Sequence, residues 1–309
     1  MQTTPIHIQT PLLASMLLSR FTGGQVWLKL EALQPSGSFK ARGVGHACQH
    51  YVRQGAKQLL SSSGGNAGLA VAYAGRQLKV PVTVVVPQTT SARAIELIRA
   101  EQAKVVIEGA SWNDAHEHAQ QLATDDGAYI HPFDDPLLWQ GHASLIDEVA
   151  EAGLKPDAVV LSVGGGGLLC GVIEGLNRQG WCDVPIVAVE TEGAASLQAA
   201  VSAGRPVTLD AINSIATSLG AKQVAAQALT SARDNRVLCY QVSDREALDA
   251  CLAFADDHRL LVEPACGAAL AAVYQRAEAL NDKTNVLVIV CGGVGVTRAQ
   301  LQAWSQQLG

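Results

Sequence analysis

The sequence predicts an α/β fold, and two of its features support this prediction. Short runs of β-branched and other apolar residues alternate with alanine-rich stretches that have the composition of helices. Several of the short runs are apolar at consecutive positions, as strands buried on both faces of a parallel sheet are. Alternation of this kind favours sheets covered by helices on both faces, and a chain of 309 residues is long enough for two doubly wound α/β domains.

The predicted elements alternate along the whole chain. Strands are expected at residues 26–30, 58–62, 82–86, 105–107, 158–163, 186–189 and 286–290. Helices are expected among others at residues 67–78, 92–100, 115–123, 168–179 and 265–280. Ligands of such folds bind at the carboxyl ends of the strands, so the loops that follow strands are the candidate functional segments.

Three loops that follow predicted strands are rich in glycine and small polar residues: 61–68, 164–167 and 291–295. A glycine turn between a strand and a helix presents backbone N–H groups to an anion, because no Cβ atom blocks the approach. The alternative is a tight turn that only packs the helix against the strand. None of the loops has the G-x-G-x-x-G or lysine-containing pattern of a nucleotide site.

Lys40 is the candidate for covalent chemistry. It lies in the segment QPSGSFKARG at residues 34–43, where turn residues lead into a predicted helix and Phe39 precedes the lysine. A partly apolar setting suits a lysine that must act as a neutral amine. The alternatives are a solvated surface lysine and, for Ser36 or Ser38, a helix N-cap.

Three motifs in this order resemble the signatures of fold-type II pyridoxal-phosphate enzymes, which have the tryptophan synthase β-like fold. They are PSGSFKARG at 35–43, SSGGNAG at 62–68 and GGGGL at 164–168. Within that group the chain resembles, from end to end, the short, liver-type L-serine dehydratase/L-threonine deaminase family. The resemblance includes HPFDDPLLW at 131–139 and LVEPACGAALAAVY at 261–274. It implies a small domain at 35–134 inserted into a large cofactor-binding domain formed by 1–34 and 135–309.

The resemblance also implies roles for individual residues. Lys40 carries the cofactor covalently and acts as the base at Cα, and Phe39 packs on the pyridine ring. The other implied cofactor contacts are Asn66 at the ring hydroxyl, Cys291 at the pyridine nitrogen, and Gly164, Gly165, Gly166 and Gly167 around the phosphate. The implied contacts of the substrate carboxylate are Ser63, Gly64, Asn66 and Ala67. A potassium ion is implied at Gly164, Glu190, Ala194, Ser196 and Leu219.

The implied reaction eliminates water from L-serine, and hydrolysis of the resulting aminoacrylate takes up water again to give pyruvate and ammonia. L-threonine gives 2-oxobutanoate and ammonia in the same way. The alternatives on the same fold are serine racemisation and β-replacement, and outside catalysis an amino-acid-binding relative. Racemisation needs an acid opposite Lys40, which similar serine racemases supply as a serine hydroxyl. Glycine stands at the matching position, Gly64, and offers no proton.

Net charge and cysteine content indicate which binding partners and which cellular compartment to expect. The net charge is −6 without a basic block, which is unfavourable for nucleic acid or an anionic membrane. Seven scattered cysteines, with no C-x-x-C pair, suit a reducing compartment. We therefore expect a cytoplasmic protein, and the resemblance implies a homodimer. A metal pair at His46 and His50 would need a third ligand, and Glu263 is a candidate helix cap.

Overall fold

The computed structural model describes residues 4–308 and confirms the α/β class. Its strands are β1 (Leu12–Ser15), β2 (Gln25–Lys29), β3 (Gln58–Ser61), β4 (Val82–Val86), β5 (Lys104–Ile107), β6 (Gly127–Tyr129), β7 (Ala158–Ser162), β8 (Ile186–Thr191), β9 (Val237–Val242) and β10 (Asn285–Ile289). Its helices are α1 (Met16–Ser19), α2 (Lys40–Arg53), α3 (Asn66–Leu78), α4 (Ala92–Ala100), α5 (Trp112–Gln121), α6 (Pro136–Glu151), α7 (Gly167–Arg178), α8 (Ser196–Ala203), α9 (Ala226–Asp234), α10 (Asp244–His258), α11 (Pro264–Tyr274) and α12 (Arg298–Gln307).

The chain divides into two compact units. The first comprises the segment that ends at Ile8 together with Gln34–His142, and the second comprises Gln9–Leu33 together with the chain from Ala143 onward. The division falls within α6. The domain limits expected from the sequence, 35 and 134, stay a prediction.

The first unit contains a parallel sheet of four strands in the order β5-β4-β3-β6. All five residues of β4 are buried, as expected for a central strand covered on both faces. The carboxyl ends of β3 and β6 lie side by side, because Leu60 pairs with Tyr129. The loops after these two strands therefore begin at the same edge of the sheet.

The second unit contains six strands in the order β1-β2-β10-β7-β8-β9. All of its strand pairs are parallel except β1 with β2. Helix α11 is buried along nearly its whole length, from Pro264 to Val273, and its alanines and glycine allow close packing on β7 and β8. The glycine loop after β7 and Cys291 after β10 follow adjacent strands of this sheet.

One predicted helix is shorter than the sequence suggested. The expected helix at 265–280 ends at Tyr274, and a separate 3₁₀ turn follows at Glu278–Leu280. Arg276 has a φ of +59°, in the left-handed region that a right-handed helix cannot contain. The apolar pattern continues across this break, so the hydrophobic period did not reveal it.

Most cysteines lie inside the protein as free thiols. Cys48, Cys170, Cys251, Cys266 and Cys291 are buried, Cys239 is half-buried, and Cys182 is exposed between α7 and β8. Between residues 4 and 308, no helix is sufficiently long and apolar to span a membrane.

Candidate active site

Lys40 is the first residue of α2, and its side chain is half-buried. Its Nζ donates a hydrogen bond to the backbone carbonyl of Pro132, which follows β6, and lies 5.1 Å from the centre of the Phe39 ring. A carbonyl partner and an aromatic neighbour fix the position of the amine. This is the setting expected of a reactive lysine rather than a solvated one.

His142 packs against the first turn of α2. Its ring lies 4.8 Å from the Phe39 ring, and its Nδ1 accepts the backbone N–H of Gly43 at 3.1 Å. The side chain is fully buried. Burial, followed by the nearby charges of Lys40 and Arg42, holds the pKa of His142 well below its usual value, so the ring is neutral. The sequence analysis missed this residue.

Neither serine considered as a cap for α2 has that role. Phe39 is the N-cap residue, and it provides no side-chain capping bond. The hydroxyls of Ser36 and Ser38 are buried without a hydrogen-bond partner among residues 4–308, and so is that of Ser61. Buried hydroxyls normally find partners, so these three leave polar groups for a polar ligand to satisfy.

The loop of residues 63–67 connects β3 to α3. The hydroxyl of Ser63 accepts the backbone N–H of Gly65 at 3.2 Å, and Asn66 is the first residue of α3. Gly65 is the N-cap residue and brings no side-chain oxygen to the N–H groups of the first turn, which have no intrahelical acceptor. The start of α3 can therefore accept a carboxylate. The predicted substrate contacts Ser63, Gly64, Asn66 and Ala67 lie in this segment.

Half-buried imidazole and phenol groups surround the end of β6, and the sequence analysis missed them as well. The hydroxyl of Tyr129 lies 2.6 Å from Ser62 Oγ and 2.6 Å from His116 Nδ1. His131 Nδ1 accepts the backbone N–H groups of Phe133 and Asp134 at 3.2 and 2.8 Å. Burial, together with the charges of His116 and Lys40, lowers the pKa of His131 to about 4.

In the second unit, the glycine loop after β7 has the backbone expected of an anion site. Gly166 has a φ of +90° and is the N-cap residue of α7, without a side-chain capping bond. A Cβ atom at Gly164 would lie 2.9 Å from Leu219 Cα, and one at Gly166 would lie 2.4 Å from Ala228 Cβ. Only glycine fits these two positions.

Cys291 lies after β10, with its thiol 3.5 Å from Ser162 Oγ. Its hydrogen bond with Cys266 and its burial raise the pKa of Cys291 well above the usual value. The thiol is therefore protonated and uncharged near neutral pH. Its contact with the pyridine nitrogen stays a prediction.

Glu190 and Ser196 form a buried polar site at the end of β8. The two carboxylate oxygens of Glu190 accept the N–H groups of Leu197 and Gln198 at 2.7 and 2.8 Å, at the start of α8. Burial raises the pKa of Glu190 to about 7, against the opposing effect of these bonds. The Ser196 hydroxyl is buried and lacks a partner within the described chain.

The remaining candidates have structural surroundings. No three His, Cys, Asp or Glu side chains between residues 4 and 308 are grouped as a metal site requires, so His46 and His50 gain no third ligand. Glu263 is the N-cap residue of α11, but its side chain forms no capping bond within the described residues. Its carboxylate instead lies near the buried thiols, and burial, followed by the charge of Glu263, raises the pKa of Cys251.

The sequence matches a family of known proteins over almost its whole length. The family model for pyridoxal-phosphate dependent enzymes matches residues 3–292, and the chain belongs to this family. The fold-type II assignment made from the sequence is thereby confirmed.

Individual proteins of known name or known structure are similar to this chain over nearly its whole length. The chain is 49% identical to the L-serine dehydratase/L-threonine deaminase of Homo sapiens, over 100% of this chain and 98% of that protein. A crystal structure of a fungal L-serine ammonia-lyase from Rhizomucor miehei superposes with a TM-score of 0.92 at 38% identity, covering 98% of this chain and 99% of that one. The structure of maize serine racemase superposes with a TM-score of 0.89 at 25% identity, covering 98% and 94%.

The residues present fit the family's cofactor. A half-buried lysine beside an aromatic ring can bond an aldehyde, a glycine turn that excludes any Cβ atom suits a phosphate, and a neutral buried thiol is compatible with a pyridine nitrogen. The buried hydroxyls of Ser36, Ser38 and Ser61 supply further polar contacts.

Proposed function

We propose that this protein is an ammonia-lyase that converts L-serine to pyruvate and ammonia, and L-threonine to 2-oxobutanoate and ammonia. The observation that carries the proposal is Lys40, held beside Phe39 and the Pro132 carbonyl, in a chain that is 49% identical to a named serine dehydratase/threonine deaminase. When bound, pyridoxal phosphate supplies an electron sink for the pair released at Cα.

The residues of the first unit act on the substrate. Ser63 and the N–H groups at the start of α3 hold the carboxylate, while Asn66 holds the cofactor's ring hydroxyl. The Lys40 amine, released when the substrate replaces it, takes the proton from Cα. Because the Pro132 carbonyl accepts a hydrogen bond from this amine, it guides Nζ during the transfer.

The residues of the second unit hold the cofactor and set its electronic character. The backbone N–H groups of residues 164–167 and the start of α7 bind the phosphate. The uncharged Cys291 thiol leaves the pyridine nitrogen without a formal negative partner, which keeps the electron sink shallow. With the cofactor bound, an uncharged group at this position would favour loss of the β-hydroxyl, which gains a proton and leaves as water, over return of the proton to Cα.

Serine racemisation is the second candidate, since a racemase has the same fold at 25% identity. Gly64 argues against it, because it lacks the hydroxyl that would return a proton to the opposite face of Cα. The deciding experiment follows pyruvate and D-serine together when the purified holoenzyme receives L-serine. Pyruvate with little D-serine supports the lyase, whereas D-serine formed at a comparable rate overturns it.

We also propose a potassium ion beside Glu190, with Gly164, Ala194, Ser196 and Leu219 as its other oxygen ligands. The proximity of Gly164 to Leu219 and the buried Ser196 hydroxyl support this grouping. Replacing potassium by tetramethylammonium should lower activity and the thermal midpoint. Unchanged values in both buffers would mean that Glu190 serves only to cap α8.

Finally, we propose a cytoplasmic homodimer. The supporting observations are free buried thiols and the expectation drawn from the family resemblance. Light scattering coupled to gel filtration tests the dimer, since a mass of about 32.3 kDa would show a monomer. Fractionation of the source cells tests the compartment.

A further inference from the structure

The hydroxyl of Tyr129 joins two elements of the first unit. Ser62, which immediately precedes the loop at 63–67, and His116 on α5 both lie 2.6 Å from it. Ser62 is fully buried, whereas Ser63 is partly exposed. Ser62 is therefore placed to anchor the loop and not to receive a ligand itself.

The chemistry of the three side chains restricts the direction of the two hydrogen bonds that link them. A phenol has one proton, so with two partners at 2.6 Å it donates to one of them and accepts from the other. Burial raises the pKa of Tyr129 to about 12 and lowers the pKa of His116. Ser62, Tyr129 and His116 are thus linked by uncharged, directional hydrogen bonds near neutral pH.

Neighbouring rings restrict the movement of the hydrogen-bonded side chains His116 and Tyr129. The Trp112 ring stacks on the His116 ring at 4.8 Å with an interplanar angle of 17°. The His131 ring approaches both His116 and Tyr129 edge-on, at 5.9 and 6.4 Å. Because His131 Nδ1 is engaged with two backbone N–H groups, this ring also has a fixed orientation.

We propose that Tyr129 and His116 are positioning residues that fix Ser62, and through it the loop at 63–67, in the geometry that receives the substrate carboxylate. This inference rests on the proposed function. Without the hydrogen bonds that link Ser62, Tyr129 and His116, the loop would become ordered only when substrate binds. The conformational entropy lost in that ordering would weaken substrate binding. The chemical step depends on the Lys40 amine, which the Pro132 carbonyl holds, so substrate affinity is affected more than turnover.

The test compares Tyr129→Phe with Tyr274→Phe in the holoenzyme. Both changes remove one phenol hydroxyl, and Tyr274 bonds Asp257 at 2.9 Å in the second unit. We expect Tyr129→Phe to raise KM for L-serine by about 3- to 10-fold with little change in kcat, the effect of losing one net hydrogen bond. Tyr274→Phe should leave KM unchanged. An unchanged KM in Tyr129→Phe would overturn the inference.

A second measurement separates loop positioning from a general structural effect. Binding of L-alanine and L-alaninamide to the holoenzyme, followed by the cofactor's visible absorbance, should show weakening in Tyr129→Phe for the carboxylate ligand only. Equal weakening of both ligands would overturn the inference. If Tyr129→Phe does not fold, His116→Asn and His116→Leu replace it: Asn keeps a polar atom near the Nδ1 position and should preserve KM, and Leu should raise it.

Failure of this inference is distinguishable from failure of the proposed function. If the unaltered enzyme releases no pyruvate from L-serine, the function is wrong whatever the variants show. If it releases pyruvate and KM does not depend on Tyr129 or His116, only the positioning role is wrong.

Discussion

Lys40 is the residue on which the proposed chemistry depends most. We predict that Lys40→Ala lowers turnover of L-serine by at least about 10²- to 10⁴-fold, because the amine serves as general base as well as anchor. The matched control is Lys57→Ala, since Lys57 is 78% exposed and pairs only at the surface with Asp126. Pyruvate release and circular dichroism check both variants. Appreciable turnover in Lys40→Ala would refute the assignment.

The lack of a proton donor at Gly64 is the basis for expecting elimination and not racemisation. The structure also indicates how a larger residue at this position would affect activity. An alanine at position 64 would restrict the loop backbone more than glycine does, which by itself would favour an ordered loop. A Cβ atom here would lie 2.6 Å from Thr90 Cγ2 and 2.8 Å from Thr90 Oγ1, so the Thr90 side chain would have to move. We therefore expect Gly64→Ala to lower activity unless Thr90→Ala accompanies it.

The same contact determines how a racemase activity would have to be introduced. We predict that Gly64→Ser combined with Thr90→Ala forms more D-serine per pyruvate than Gly64→Ala with Thr90→Ala. The two double variants differ only by the hydroxyl, which is the missing proton donor. Chiral chromatography of the products measures the ratio, and an equal ratio would show that a hydroxyl at this position does not donate.

Cys291 tests the role of an uncharged group at the pyridine nitrogen. We predict that Cys291→Ser retains substantial activity and that Cys291→Asp loses much more than the isosteric, uncharged Cys291→Asn. The charge of the buried Glu263 makes a second carboxylate unfavourable here. Comparison of kcat and thermal midpoint for Asp and Asn separates charge from size. Equal activity in these two variants would contradict the proposed role.

At the scale of elements, a buried ion pair joins β2 to α6. Lys29 Nζ contacts Glu148 Oε2 and donates to the carbonyl of Thr10 at 2.8 Å, and the two charged side chains are only 1% and 11% exposed. We predict that Lys29→Met destabilises the protein by about 3–5 kcal/mol, because it leaves a buried carboxylate without its cation. Urea unfolding measures the change.

The control for this prediction is an exposed pair. Lys155 and Asp183 are 50% and 67% exposed and 3.3 Å apart. Lys155→Met should cost less than about 1 kcal/mol, since surface pairs contribute little. Similar losses in the two variants would show that burial does not determine the contribution of the Lys29 pair.

Hydrophobic patterns predicted the central strands and one edge strand, β5, and missed the other three edge strands. Fully buried strands such as β4 and β7 are continuous apolar runs and are recognisable in the sequence. The missed strands β1, β6 and β9 are at sheet edges. An edge strand contacts neighbours on fewer sides, so its pattern is mixed or, as in the three residues of β6, too short to detect.

Sequence motifs indicated only part of the candidate site. Lys40, the loop at 63–67 and the glycine turn at 164–167 stand in recognisable local patterns. Tyr129, His116 and His142 do not, because their roles arise from contacts between residues distant in sequence. His116, for example, reaches Tyr129 only because α5 packs on the sheet.

At the scale of the whole molecule, the half-buried, neutral His131 makes stability depend on pH. The pKa of His131 is about 4 in the folded protein, against 6.5 ordinarily. Between these values the unfolded chain binds more protons, so the contribution of His131 to stability is lost as the pH falls from about 6.5 to 4. Glu190, whose pKa burial raises to about 7, acts in the opposite direction.

We therefore predict that His131→Asn is less acid-sensitive than the unaltered protein. Asn can still accept the N–H groups of Phe133 and Asp134 but has no proton to bind. The free energy of unfolding, measured in urea at pH 7 and pH 5, should fall less in the variant. An identical fall in both proteins would mean that His131 does not titrate in this interval.

The distribution of thiols has a practical consequence for spectroscopy. Cys182 is exposed between α7 and β8, while the other cysteines are buried or half-buried. A maleimide dye applied briefly under native conditions will attach there, so a single fluorophore can be introduced without mutagenesis. The probe would follow tumbling and self-association of the molecule while leaving Cys291 unmodified.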